Sequence, residues 1–145
     1  MDEIASRCTC FHLRRAARRT TQVYDRELAK VGLSLNEYSI LRRAGEPKQL
    51  GVLAEALGMD RTTLTRNLKP MIEAGWIQER RSENDARQKL IVASAAGRRL
   101  LKRALPHWRN AQDRIEALFG AEQTLALHDD LARLDRALNE PGETA

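Results

Sequence analysis

A mainly α-helical protein with one small β-hairpin is what this 145-residue sequence predicts. Three features carry the prediction. Apolar residues recur every three to four positions over most of the chain, and the period falls to two only after Gly75. Glycines or small capping residues stand where each periodic run starts or stops. The length suits a single domain over 1–145, with a core of its own but not two independent ones.

Leu13, Ala17, Thr20, Tyr24, Leu28 and Val31 extend a stripe begun by Ile4, Cys8 and Phe11, so a first long helix is expected over about 2–31. Gly32 ends it as a C-cap glycine does. Ser34, with Glu37 three residues on, offers both halves of a capping box for a second helix that buries Tyr38, Ile40 and Leu41. A short helix from Leu50 to Leu57 breaks at Gly58. Asp60 then caps a helix over Arg61–Ala74 whose inward stripe is Leu64, Leu68, Met71 and Ile72. Pro70 inside it removes one helix bond and predicts a bend. Beyond Gly75, Ile77–Arg81 and Lys89–Val92 read as two strands around the polar turn Ser82–Arg87. Ser94 caps a long helix bearing Leu101, Leu105, Trp108, Ile115 and Leu118, and a last helix carries Leu127, Leu131, Leu134 and Leu138. The tail Pro141–Ala145 reads as frayed. A compact lobe over about 34–93 is thus flanked by helices over about 2–31 and 94–139. Their apolar stripes are too long for one small lobe to bury, so a two-fold homodimer is expected.

Charge is distributed unevenly. The net is +5, yet residues 61–103 hold eleven Lys and Arg against four acids, and residues 113–145 hold three against eight. A basic middle on an acidic frame suits a nucleic-acid surface. No apolar run approaches the roughly 20 residues that cross a bilayer, so no membrane role is expected. The N-terminus has no signal-peptide pattern. Cys8 and Cys10, two apart on a continuous helix, would point about 200° from each other and could not bridge. These features place the chain in the cytoplasm. His12, His107 and His128 are dispersed, with no metal-ligand spacing, no phosphate loop and no nucleophile elbow. No enzyme, metal or cofactor is therefore expected.

Residues 50–92 run short helix, glycine turn, longer helix, hairpin, which is the winged helix-turn-helix plan. The second helix of such a pair fits a major groove. Its outward face offers Arg61, Thr62, Thr63, Thr65, Arg66 and Lys69, with Asn67 nearby, and holds no acid between Arg61 and Pro70. Arginine forks onto guanine and threonine meets hydroxyl-accepting edges or thymine methyls. Threonine is a mediocre helix former, so three of them in five residues call for a reason beyond propensity. Arg87 at the hairpin tip, beside Asp85, suits a narrow minor groove. Double-stranded DNA with an inverted-repeat operator is the expected partner. A merely helical protein-interaction dimer, the rival reading, would have no use for a cationic wing. His12, Arg15, Tyr38 and Trp108 are candidates to line a pocket for a small anionic aromatic ligand.

The run from Gly51 through Arg66, then Glu73-Ala74-Gly75-Trp76-Ile77 and the wing Asp85-Ala86-Arg87, resembles the MarR family of repressors over nearly the whole chain. The resemblance implies a dimer through the terminal helices. It also implies an ion pair by which Asp85 orients the wing, and a ligand or redox signal that releases DNA. Cys10-Phe11-His12-Leu13, Arg18, Tyr24, Gly32-Leu33 and Tyr38 are similar to the organic-peroxide-sensing branch of that family. In that branch the cysteine of the Cys-Phe pair is the reactive thiol and three tyrosines serve it. Tyr24 stands at one of those positions, while Arg14 and Leu35 occupy the other two. The alternative function implied is a Cys10-based organic peroxide sensor on the same fold.

Overall fold

A computed structural model describes residues 2–139, so the tail at 141–145 lies outside the described residues. Seven α-helices and three strands occur among them: α1 (Glu3–Arg7), α2 (Thr9–Leu28), a 3₁₀ turn (Ala29–Val31), α3 (Leu35–Arg43), β1 (Lys48–Gln49), α4 (Leu50–Leu57), α5 (Arg61–Glu73), β2 (Ile77–Arg81), β3 (Lys89–Ala93), α6 (Ala95–Phe119) and α7 (Ala121–Leu138).

The helix starts follow the capping chemistry of the sequence. Ser34 accepts from the Glu37 amide at 3.2 Å while the Glu37 carboxylate takes the Ser34 amide at 2.9 Å, the reciprocal box expected. Asp60 accepts from the Thr63 amide at 2.7 Å, and Ser94 from the Gly97 amide at 3.0 Å. Gly32, Gly58 and Gly75 sit at φ between 66° and 80°, the left-handed region into which a helix end turns most readily with glycine.

One expectation is corrected here and another is extended. The first helix is not continuous: Cys8 takes an extended conformation, closing α1 and capping α2 through its sulfur, which accepts from the Phe11 amide at 3.4 Å. Cys8 therefore lies at the junction of α1 and α2, while Cys10 lies inside α2. The expected hairpin of β2 and β3 is present, and a third strand joins it. Lys48 and Gln49 pair antiparallel with Ile91 and Leu90, so β3 is the central strand of a sheet ordered β1-β3-β2. A two-residue strand is too short to carry a period of its own.

The core centres on the lobe and takes in Leu28 of α2 and Leu100 and Ala104 of α6. Leu28, Ile40, Leu41, Leu53, Leu64, Met71, Ile77 and Val92 are fully buried. Leu28 carries the end of α2 into this core, whereas α2 from Thr9 to Thr20 and most of α7 are exposed. Phe11, Leu118, Phe119, Leu125 and Leu138 are each about half exposed or more. These are the stripes expected to need a second copy. Among the described residues no helix is long and apolar enough to cross a membrane.

One seam joins the lobe to α6. Ser94 donates its hydroxyl to the Gly75 carbonyl at 2.5 Å and its amide to the Trp76 carbonyl at 2.9 Å. Gly97 lies so close that a Cβ there would overlap the Trp76 carbonyl oxygen and press on Leu41 at 3.2 Å. A backbone oxygen cannot swing aside as a side chain can. Gly97→Ala is therefore expected to lower stability by about 1–3 kcal/mol, the usual cost of overpacking, measured by urea denaturation. An unchanged midpoint would show that the seam yields freely.

Candidate nucleic-acid interface

The helix-turn-helix is built from α4 and α5, joined by Gly58, Met59 and Asp60. Leu53 and Ala54 of α4 and Leu64, Leu68 and Met71 of α5 are buried against each other and the sheet, which leaves α5 one way to face. Burial of three such side chains contributes about 1.5–3 kcal/mol each before entropy is counted, enough to make the opposite face a fixed surface. At about 100° per residue, Thr62, Thr65, Arg66 and Lys69 share that face, and all four are exposed. Arg61 flanks it, also exposed. Thr63 is half-buried and its carbonyl accepts from the Asn67 amide group at 2.8 Å, so Thr63 and Asn67 sit at the margin of the face. The helix runs on through Pro70, and the Ala74 amide bonds back to the Pro70 carbonyl at 2.9 Å.

A cleft of about 530 Å³ separates α5 from the wing. Arg66 and Lys69 line it from the helix, Lys89 and Glu79 from the strands, and Leu50 from below. In the sequence Lys89 and Glu79 stand out only as strand positions. Their alternation in β2 and β3 was the signal that they share a face. Gln49 donates to Gln88 at 3.1 Å, tying the short β1 to the wing base.

The wing is ordered by its own backbone. The Asp85 carboxylate accepts from the Arg87 amide at 3.0 Å and its carbonyl from the Gln88 amide at 3.0 Å, while the Arg81 guanidinium donates to the Ala86 carbonyl at 2.7 Å. Asp85 thus orients the wing as an Asx turn does. The expected ion pair is replaced by this main-chain bond, among the described residues, and the Arg87 side chain remains exposed.

The four candidate ligand residues are not assembled within one protomer. Trp108 stacks with Tyr38 at 6.2 Å and with Tyr24 at 6.3 Å, an aromatic joint linking α2, α3 and α6. Arg15 and His12 lie about 14 and 18 Å further up α2 at 1.5 Å per residue. There Arg15 stands over the Phe11 ring at 5.1 Å and His12 contacts the Ser6 carbonyl at 2.7 Å. Tyr24 donates to the Gln112 side-chain oxygen, and burial, with Glu116 nearby, raises its phenol above the ordinary value. A larger apolar cavity, about 620 Å³, opens instead between α2, α6 and α7 around Leu13, Tyr24, Ile115, Phe119 and Leu131. Cys10 is a free, exposed thiol, fourteen residues and about 21 Å of helix from Tyr24. Among the described residues no group of three or more His, Cys, Asp and Glu gathers as a metal site would.

The MarR family model matches residues 33–89, from Leu33 to the first residue of β3. The organic hydroperoxide resistance transcriptional regulator of Bacillus subtilis (strain 168) is 35% identical over 98 residues, covering 66% of this chain and 67% of the relative. The transcriptional regulator PecS of Dickeya dadantii (strain 3937), of the helix-turn-helix type, is 31% identical over 120 residues, 79% of this chain and 72% of the relative. The structure of the Mycobacterium tuberculosis transcriptional regulator MosR in complex with DNA superposes with a TM-score of 0.82 at 37% identity, over 90% of this chain and 96% of that one.

The Asp60 cap gives the site a measurable acid sensitivity. The Thr63 amide and hydroxyl hold the Asp60 carboxyl below its ordinary value of 3.8. A carboxyl lowered by folding stabilises the fold above its unfolded pKa and loses that contribution as pH falls through the folded one. Asp60→Asn caps the helix without titrating. Its melting temperature should therefore fall less than that of the wild type between about pH 5 and about pH 2. Equal acid sensitivity would remove Asp60 from the account.

Proposed function

Because this chain belongs to the MarR family of DNA-binding transcription regulators, we propose that it is a homodimeric repressor that grips an inverted-repeat operator and releases it on a chemical signal. The observation that carries this is the face of α5, where Thr62, Thr65, Arg66 and Lys69 stand exposed without a carboxylate between Arg61 and Pro70 on a helix whose other side is fully buried. Arg66, with Thr62 and Thr65, reads base edges. Lys69 and Arg61 take phosphates, and Arg87 reaches the flanking minor groove. The exposed apolar faces of α2, α6 and α7 are buried against a second copy, which sets the two α5 helices about one DNA turn apart. The protein works by binding in the cytoplasm and performs no catalysis. A signal releases the DNA to the extent that it favours a dimer geometry whose α5 helices no longer fit adjacent grooves.

A second reading concerns the signal. The Bacillus subtilis relative is a regulator of organic hydroperoxide resistance, and Cys10 is exposed beside Arg14 and Arg15 in sequence, an electropositive setting in which reactive thiols are found. On this reading the Cys10 thiolate attacks an organic peroxide, becoming a sulfenic acid as the alcohol leaves. Tyr24 of the same protomer is too far along α2 to assist. If Cys10 is the sensor, stoichiometric organic peroxide should abolish operator binding in the wild type and leave Cys10→Ser unaffected. Equal affinity in all four samples would reduce Cys10 to a surface residue.

Selection of bound duplexes from a random pool tests the main reading. Recovered sites should be inverted repeats with half-site centres about 10 base pairs apart or slightly more. Arg66→Ala should cost about 1–3 kcal/mol per half-site and relax base preference, whereas Arg87→Ala should weaken binding with less loss of preference. Uniform weakening of all sequences by both variants would remove base readout from Arg66.

A further inference from the structure

Gly51 stands in the first turn of α4, with nothing in its backbone that calls for glycine. Glycine at such a position is a poor helix former, since its chain loses more freedom on folding than alanine's would. Its surroundings supply a different reason. A Cβ built on Gly51 would lie 2.6 Å from one terminal nitrogen of the Arg61 guanidinium, 3.1 Å from its Cζ and 3.3 Å from its Nε. Arg61 leaves the first turn of α5 and runs back along α4 to lie in the space that the missing side chain leaves.

This is an odd place for a cation to rest. The start of a helix carries partial positive charge from its free amide groups. In α4 that charge is uncovered: Gln49 makes no side-chain cap bond and the first turn holds no acid. Among the described residues no carboxylate stands within 4.0 Å of the Arg61 guanidinium either. Arg61 and the head of α4 repel one another until an anion comes between them.

We propose that Gly51 is a positioning residue for Arg61, the lack of a side chain at 51 seating the guanidinium against α4 so that it meets a backbone phosphate of the operator. The inference rests on the DNA-binding reading and adds to it a residue that touches no base. Its consequence is that Gly51→Ala should separate stability from binding. The three atoms nearest the new methyl all belong to the far end of a flexible side chain, so Arg61 swings away and the fold is kept. The helix gains a better former, while the DNA loses a correctly placed cation.

The test measures anisotropy of the full-length dimer on its selected operator duplex, across a salt series, for wild type, Arg61→Ala, Gly51→Ala and the double variant. Each single variant should flatten the slope of log affinity against log salt by about 1 per half-site, with relative preference among operator sequences unchanged. The double variant should bind no more weakly than Arg61→Ala, and Gly51→Ala should melt at or above the wild-type temperature. With wild-type binding intact, three results would each overturn the inference alone: a wild-type slope for Gly51→Ala, additive losses in the double variant, or a lowered melting temperature. A wild type that shows no salt-dependent duplex binding would overturn the DNA reading and this inference together.

Discussion

The seam between residues 75–76 and 94–97 governs the orientation of everything else. Two hydrogen bonds from Ser94 and the close approach of Gly97 fix the root of α6 to the turn that ends α5 and begins β2. The helix that leads to the apolar cavity and the helix that carries the polar face are thereby attached to the same few backbone atoms. Packed interiors transmit displacement because they have little slack. A movement of α6 is consequently delivered to α5 and to the wing together, and no flexible linker absorbs it.

That coupling gives meaning to where the core sits. The lobe has a closed core, with Ile40, Leu53, Leu64 and Met71 withdrawn from solvent and Leu28 of α2 and Leu100 of α6 completing it. The outer helices are not closed in this way, and Leu118, Phe119, Leu125 and Leu138 remain largely exposed on a single copy. Rigid reading head and incomplete frame are a sensible division. The head keeps its shape while the frame, completed by a second copy, sets how far apart two heads stand. Between the two lies the joint of Tyr24, Trp108 and Tyr38, contributed by α2, α6 and α3, so the first of the frame helices is tied to the head as well.

Most of the lobe was legible in the sequence because its signals are local. The Ser34–Glu37 box, the Asp60 and Ser94 caps, and the positive-φ glycines Gly32, Gly58 and Gly75 each fix a boundary within a few residues of themselves. The polar face of α5 followed from the periodicity of Leu64, Leu68 and Met71 alone. What was not legible depended on partners distant in sequence. The two-residue β1 exists only because β3 is there to pair with it, and the aromatic joint is set by a helix crossing. The break at Cys8 was hidden for another reason: cysteine is a rare cap, and an apolar stripe runs across it undisturbed. The grouping of His12 and Arg15 with Tyr38 and Trp108 assumed side-chain chemistry would converge, when the rise of α2 keeps them apart.

The positions of the two tryptophans have a practical consequence. Trp76 belongs to the seam at the root of α6, and Trp108, about three turns along α6 from Gly97, stacks with two tyrosines in the aromatic joint. No other indole is present in the chain. Intrinsic emission therefore comes from the two places where head and frame meet. A chain carrying Trp76→Phe would report through Trp108 alone, and one carrying Trp108→Phe through Trp76 alone. An optical signal native to the protein can thus follow each junction separately, without any attached dye.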